Sequence, residues 1–124
     1  MLIEALILAI TAPSLDAVDN ANLALTTCGF AAYRFANERD QTLDQFARTL
    51  SADCSERMAQ MRRAIITLET GRGKSMAVAS AAADALIAQF RAQFASDYAR
   101  RAESEAQFRE LERALREEGK ADAQ

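Results

Sequence analysis

The sequence predicts an all-α fold, a three-helix antiparallel bundle with a long, partly projecting C-terminal helix. Three observations carry this prediction. Breakers of regular structure are scarce, with 4 Gly and 1 Pro in 124 residues. Ala dominates the hydrophobic half of the chain and only 6% of the residues are aromatic, while strong helix formers are abundant. No window alternates as a half-buried strand does. We expect one domain, with a leader over 1–17, a core over 18–98 and a charged helical extension over 99–124.

The first 17 residues, MLIEALILAITAPSLDA, resemble a signal peptide. An apolar stretch from Ala5 to Ala12 is followed by small residues that suit cleavage. Glu4 stands where a basic residue is usual, so a second interpretation stays open: a short apolar helix, ended by Pro13, that packs on the domain. The stretch is shorter than the ~20 residues needed to span a bilayer. We expect no transmembrane span, and export to the periplasm or the medium, with a cytoplasmic location as the alternative.

The two cysteines, Cys28 and Cys54, fall on successive predicted helices. If helix one ends near Asn37 and helix two begins near Thr42, an antiparallel hairpin brings Cys28 to within two residues of Cys54 across the turn. Two residues are ~3 Å along a helix axis, which lies within the reach of a disulfide. We predict a Cys28–Cys54 disulfide, as is usual in oxidising compartments. Two small buried thiols in a cytosolic core are the alternative.

Helices one and two each carry an apolar stripe at spacings of three and four residues. Gly29 allows a close helix approach, and Thr42 with Gln45 forms a predicted capping box at the start of helix two. The predicted core positions of helix one are Val18, Leu25, Cys28, Ala32 and Phe35, widened by Leu23, Phe30 and Tyr33. Those of helix two are Leu43, Phe46, Leu50, Cys54, Met58, Met61, Ile65 and Leu68.

The stretch TGRGKS, Thr70 to Ser75, ends like a nucleotide-binding phosphate loop. That motif requires a Gly at the position of Leu68 and a preceding strand, and this stretch follows a helix. Gly71 or Gly73 can end a helix in the left-handed conformation, and Ser75 can cap the next one. We interpret the stretch as a turn between two helices.

Helix three begins after Ser75 and shows no stop before Gly119. At 1.5 Å per residue it would extend ~65 Å, far beyond the ~13 Å radius of gyration of a 100-residue globule, so its second half bends back, frays or projects. The predicted core positions are Val78, Ala82, Leu86, Phe90 and Phe94, flanked by Ile87 and Tyr98. The extension carries i,i+4 pairs, Glu105–Arg109 and Glu112–Arg116. Its predicted partner-binding residues are Phe108, Leu111, Leu115, Arg109, Arg113 and Arg116.

The composition disfavours several classes of function. The chain has no His, which excludes Ser-His and Cys-His nucleophile pairs, and no metal, haem or iron–sulfur ligand set is visible. We expect no enzymatic activity, no cofactor and no metal. The net charge of −3 argues against a nucleic-acid binder, which usually has a basic face. The densest basic run is Arg57, Arg62, Arg63, Arg72 and Lys74.

The order of a short apolar leader, a Cys in helix one, a Cys in a long helix two, a GRGKS turn and an Ala-rich helix resembles the uncharacterised small exported two-cysteine helical proteins of Gram-negative bacteria. The resemblance covers residues 1–98 and implies no activity. We expect an exported accessory protein that binds a larger protein through its C-terminal helix, with a weak homodimer through that helix as a second arrangement. The alternative is a cytosolic regulator, of phage or plasmid type, that inhibits a larger protein machine.

Overall fold

The computed structural model describes residues 15–122, and within that range every regular element is an α-helix. The all-α prediction is therefore confirmed. The described residues form four helices, one more than the sequence predicts. They are α1 (Leu15–Glu38), α2 (Leu43–Asp53), α3 (Ser55–Gly71) and α4 (Met76–Asp122). The proposed leader falls almost entirely outside the described residues.

Helix α1 turns its small residues, and few of its large ones, toward the core. Leu25 is buried together with Ala21, Ala32, Ala36 and Gly29. The prediction of a core position for Phe35 was wrong, since its side chain is 40% exposed, and the flanking Leu23 and Phe30 are also exposed. Close contact with the other helices accounts for this choice, because only short side chains fit between neighbouring backbones.

The turn between α1 and α2 is built from local hydrogen bonds. Asp40 adopts a left-handed backbone with φ of 49°, and the Gln41 N–H donates to the Ala36 carbonyl at 3.0 Å. The predicted capping box is present: the Gln45 N–H donates to Thr42 Oγ1 at 3.2 Å, and the Thr42 N–H donates to Gln45 Oε1 at 2.9 Å. These bonds satisfy donors that the first turn of a helix leaves unpaired.

The predicted second helix is bent into two at Cys54, which accounts for the fourth helix. Cys54 has φ of −105° and ψ of 10°, outside the α-helical range. Its N–H still donates to the Leu50 carbonyl at 3.0 Å, and its carbonyl accepts from the Met58 N–H at 2.9 Å, so helical hydrogen bonding continues on both sides of Cys54. The apolar stripe runs unbroken through the bend, with Leu43 the one predicted member that is exposed.

The predicted disulfide is present between Cys28 and Cys54, whose Cα atoms lie 5.8 Å apart. It joins the middle of α1 to the bend between α2 and α3. Cys54 is fully buried and belongs to the main hydrophobic core. The backbone departs from helical geometry at the one residue of this stripe that is covalently joined to a neighbouring helix.

The TGRGKS stretch is a turn, as predicted. Gly73 takes the left-handed backbone conformation with φ of 91°, and Ser75 Oγ accepts from the Val78 N–H at 3.2 Å. The left-handed conformation of Gly73 follows the end of α3, and the hydrogen bond to Ser75 caps the start of α4.

Helix α4 has 47 residues, which corresponds to about 70 Å. It continues through Gly119. Its buried face is turned by one residue from the predicted one in the first three turns, because Ala79, Ala83 and Ile87 are buried while Val78 and Leu86 are about half exposed. Further along, Phe94 and Tyr98 are buried as expected.

Helix α3 packs extensively on both α1 and α4, and α2 does the same to a lesser extent. The backbones of α1 and α4 come close at few positions, and these two helices meet through aromatic side chains, such as Phe30 with Phe94 and Tyr33 with Tyr98. The core extends along the chain from Ala21 to Tyr98. The space between the backbones of α1 and α4 leaves a groove on this side of the bundle.

Candidate protein-interaction surface

The last part of α4, residues 102–120, makes no burying contact with the rest of the described chain, and every side chain in it is exposed. We call it the arm. The exposed fractions of Phe108, Leu111 and Leu115 are 68%, 58% and 58%. Spacings of three and four residues place these three side chains in one row, the apolar seam. The sequence left open whether this segment bends back, frays or projects; in the structure it projects as a helix.

The root of the arm is fixed by a cluster of aromatic side chains. The Tyr98 hydroxyl donates to the Gln41 carbonyl at 2.6 Å, and the Tyr98 ring stacks on Phe46 at a centroid distance of 4.4 Å. Tyr33 meets both rings edge to face, and the Arg101 guanidinium lies 6.0 Å from the Tyr33 ring centroid. These are the last contacts that α4 makes with the core, and the arm begins directly after them.

Burial raises the pKa of both tyrosines in this cluster. For Tyr98 and for Tyr33, desolvation is the main cause, and the positive charge of Arg101 acts in the opposite direction. Both hydroxyls are therefore protonated at neutral pH, and Tyr98 is able to act as a hydrogen-bond donor. The cluster is structural: it positions the arm.

The predicted partner-binding residues do not share one face. Two residues correspond to ~200° around a helix, so Arg113 lies on the side opposite Leu111, and Arg109 and Arg116 also lie away from the seam. Arg113 and Arg116 pair with Glu110 and Glu112 at 3.5 and 3.9 Å. A flat partner that covers the seam leaves these arginines in solvent, where such pairs contribute little.

One predicted ion pair of the extension is formed and the other is not. Glu112 pairs with Arg116, as expected. Glu105 pairs with Arg101 instead of Arg109. Arg101 is held near Tyr33 at the edge of the core, so its guanidinium is the better placed of the two candidates.

A second surface feature, which we call the α1–α4 groove, was not predicted. It is an open apolar groove of about 390 Å³ with Met61 on its floor. Phe30 is 58% exposed and Leu86 is 45% exposed on its walls. Its walls include Asn22, Thr26 and Phe30 from α1 and Leu86, Phe90 and Gln93 from α4. Sequence reasoning assigned Leu86 and Phe90 to the core, and their apolar spacing is the signal that marked them.

Gly29 sets the shape of this groove. A Cβ atom at this position would lie 2.6 Å from Cζ of Phe94 and 3.0 Å from Cζ of Phe90. The absence of a side chain lets both rings lie against α1, as the close approach expected at Gly29 requires. Phe94 also contacts Phe30 edge to face at a centroid distance of 5.4 Å, and both rings line the groove.

The basic run does not form a single face. Arg57, Arg62 and Arg63 are exposed on α3, but at ~100° per residue they point to three different sides of that helix. Arg62 pairs with Asp84 at 2.9 Å, and Arg72 lies 3.8 Å from Glu69. This arrangement lacks the continuous basic stripe that nucleic-acid binding requires.

Within residues 15–122, no group of three or more His, Cys, Asp or Glu side chains is placed to hold a metal ion. No helix in the same range has the length and apolar character needed to cross a membrane. The disulfide accounts for both thiols.

Comparisons with protein families, with curated proteins and with solved structures find no match to this chain. The resemblance to small exported two-cysteine proteins stays a prediction.

Proposed function

We propose that this chain is a non-catalytic accessory protein that binds a larger protein partner through the arm of α4. The observation that carries this proposal is the exposure of Phe108, Leu111 and Leu115 on a helix that its own core leaves uncovered. An exposed apolar row on a helix is the usual anchor for helix-in-groove recognition. Large apolar side chains in such a row gain free energy when a partner removes them from water.

The proposal of a non-catalytic role rests on the residue types that the chain offers. It has no His, the commonest general acid or base. The seam is apolar, and the charged residues beside it are exposed, so they lack the burial that tunes catalytic groups.

Export to the periplasm or the medium is the location that the disulfide supports. Bonds of this kind persist in oxidising compartments and are rare in the cytosol. Removal of the predicted leader would leave a chain that begins at Leu15 or Val18. Intact mass of protein from fractionated cells, with and without reductant before alkylation, tests this. A full-length chain with two alkylated thiols before reduction would favour the cytosolic regulator instead.

Site-specific photo-crosslinking in living cells tests the interaction itself. A photoreactive residue at position 108 lies in the seam, and one at position 106 lies on the opposite side of the same helix, because two residues turn it by ~200°. We expect adducts with a second protein from position 108 and none from position 106. Equal yields from both positions, or none from either, would contradict the proposal.

Leu111→Asp is the matching variant, and Ala106→Asp is its control on the opposite face. The first places a charge in the seam, and its partner would then have to bury an unpaired carboxylate. We expect Leu111→Asp to abolish the adduct from position 108 and Ala106→Asp to preserve it. With the chain at high dilution, the thermal midpoints of both variants should stay close to that of the wild type. A large drop for Leu111→Asp alone would mean that the seam packs on its own domain.

A further inference from the structure

The seam and the wall of the α1–α4 groove lie on the same face of α4. Eighteen residues separate Phe90 from Phe108, and the same number separates Gln93 from Leu111. Eighteen residues are about five complete turns at ~3.6 residues per turn, so each residue of one row points the same way as its counterpart in the other. The complete row is Leu86, Phe90, Gln93, Asp97, Ser104, Phe108, Leu111 and Leu115.

We infer that a second copy of this chain covers this face, with the two α4 helices antiparallel. The arm of each copy then lies in the α1–α4 groove of the other. This inference rests on the proposed function in one respect, that the seam is a protein-binding surface, and it identifies what covers that surface in the free protein. In a two-fold interface the same patch is used twice, so two seam–groove contacts form for each dimer.

The register follows from the sequence positions. If the two-fold axis passes between Arg100 and Arg101, Leu111 lies ten residues beyond it and Phe90 ten residues before it. Leu111 of one copy then lies level with Phe90 of the second copy. By the same count, Leu115 lies level with Leu86, and Phe108 lies level with Gln93. One axis therefore brings every member of the seam to the groove.

The charged middle of the row is compatible with this axis. Arg100 pairs with Asp97, and Arg101 pairs with Glu105, each within its own helix. Four guanidinium groups near the axis are therefore matched by four carboxylates. Asp97 lies level with Ser104 of the second copy, whose hydroxyl can donate to that carboxylate.

Length decides between this arrangement and a dimer through the seams alone. A stable coiled coil needs three or four heptads, and the seam spans only Phe108 to Leu115. Residues 86–115 give an interface of about 45 Å, close to four heptads. In the antiparallel arrangement the polar middle faces itself, and the two apolar ends face each other.

Light scattering after size exclusion tests the dimer, and short bismaleimide crosslinking tests its register. We expect twice the chain mass of 13.6 kDa for the wild type and for Ala106→Asp. We expect loss of the dimer in Leu111→Asp and in Leu86→Asp, which alters the groove at an exposed position and leaves the seam intact. A mixture of Gln93→Cys and Phe108→Cys chains should crosslink, whereas Gln93→Cys with Ala106→Cys should not.

A photoreactive residue at position 86 reports what covers the groove. Four outcomes would overturn the inference: a monomeric wild type, a dimer that survives Leu86→Asp, crosslinking of Phe108→Cys chains to one another only, or photo-adducts from position 86 to residues 1–14 of the same chain. A monomer whose position-108 photo-adducts contain a foreign protein would remove the dimer and leave the proposed function standing. A monomer without any such adduct would remove both.

Discussion

Cys28 and Cys54 join α1 to the bend between α2 and α3, and they lie 26 residues apart in sequence. In the chain-entropy description, a bond that closes a loop of this size stabilises the native state by about 3 kcal/mol. We expect the Cys28→Ser/Cys54→Ser variant to lose about that much free energy of unfolding. Urea titrations with and without reductant measure it. The wild type should respond to reductant and the double variant should not; an unresponsive wild type would contradict the prediction.

Tyr98 carries the second residue-scale prediction, because its hydroxyl is the polar contact between α4 and the turn after α1. Tyr98→Phe removes this hydrogen bond and should lower the free energy of unfolding by about 1 kcal/mol at neutral pH. Gln41 keeps its carbonyl, so the cost includes an acceptor left without its donor. Chemical denaturation of the two proteins at pH 7 gives the difference.

The same residue predicts how stability depends on alkaline pH. Burial raises the pKa of Tyr98 in the folded state above the value of about 10 in the unfolded chain. The folded state then binds more protons than the unfolded one above pH ~10, so stability is constant below that pH and falls as the pH rises through the folded pKa. Tyr98→Phe should make the fall shallower, with Tyr33, whose pKa is also raised, responsible for the rest. An unchanged slope would mean that groups other than Tyr98 cause the loss of stability at alkaline pH.

At the scale of the helices, the capping box makes a prediction with an internal control. Thr42→Ala removes the oxygen that accepts from the Gln45 N–H, and the loss of an N-cap costs about 1 kcal/mol. Thr27→Ala is the same change in the interior of α1, where the hydroxyl bonds to the Leu23 carbonyl of its own helix. It should be neutral or slightly stabilising, since Ala is the better helix former. Thermal unfolding of both variants tests this prediction. Equal midpoints for Thr42→Ala and Thr27→Ala would show that the cap does not stabilise the protein.

The helices also show how far sequence reasoning reaches. The stripe from Phe46 to Leu68 and the cap at Thr42 were predicted correctly because each depends on spacing along one chain segment. The disulfide was predicted correctly because a short turn between two helices fixes which residues lie opposite each other. The buried face of α4 was misplaced by one residue because Ala occurs on several faces of its first turns. Close packing there selected Ala79 and Ala83 over the larger Val78, a preference that depends on the distance to α3.

Of the two features of the candidate surface, the sequence could predict only one. The seam of Phe108, Leu111 and Leu115 is a local row of apolar residues, so it could be found from the sequence. The groove could not, because it forms between α1 and α4, and no single segment records the distance between two helices. Besides the apolar spacing of Leu86 and Phe90, Gly29 is a signal, since a glycine inside a helix suggests a close contact without identifying the partner helix.

At the scale of the whole molecule, one face of α4 has two halves of different origin. Before Tyr98 it forms the wall of a groove, and after Arg101 it is the free seam of an arm. The five-turn separation between the halves allows a single two-fold axis to match both at once. In the proposed dimer, the length of α4, which exceeds what its own core covers, has a physical reason: the second half of the helix would pack on the core of the second copy.

This arrangement predicts complementation between two defective variants. Leu86→Asp has an altered groove and an intact seam, whereas Leu111→Asp has an intact groove and an altered seam. Each is expected to be monomeric alone. In the mixture, the seam of the first fits the groove of the second, so one of the two contacts is restored and a weaker heterodimer should form. Sedimentation velocity of the mixture should give a weight-average mass between those of the separate variants and the wild type.

The control for this experiment is a mixture of Leu111→Asp and Leu115→Asp. Both chains have altered seams and intact grooves, so neither can supply what the other lacks, and the mixture should stay monomeric. A parallel dimer through the seams alone also leaves this control monomeric, but it predicts that Leu86→Asp dimerises by itself. Association in the first mixture together with its absence in the second therefore requires each seam to meet the groove of the other copy. If neither mixture associates, a single seam–groove contact is too weak to hold two chains, and the intact dimer must depend on both contacts forming together.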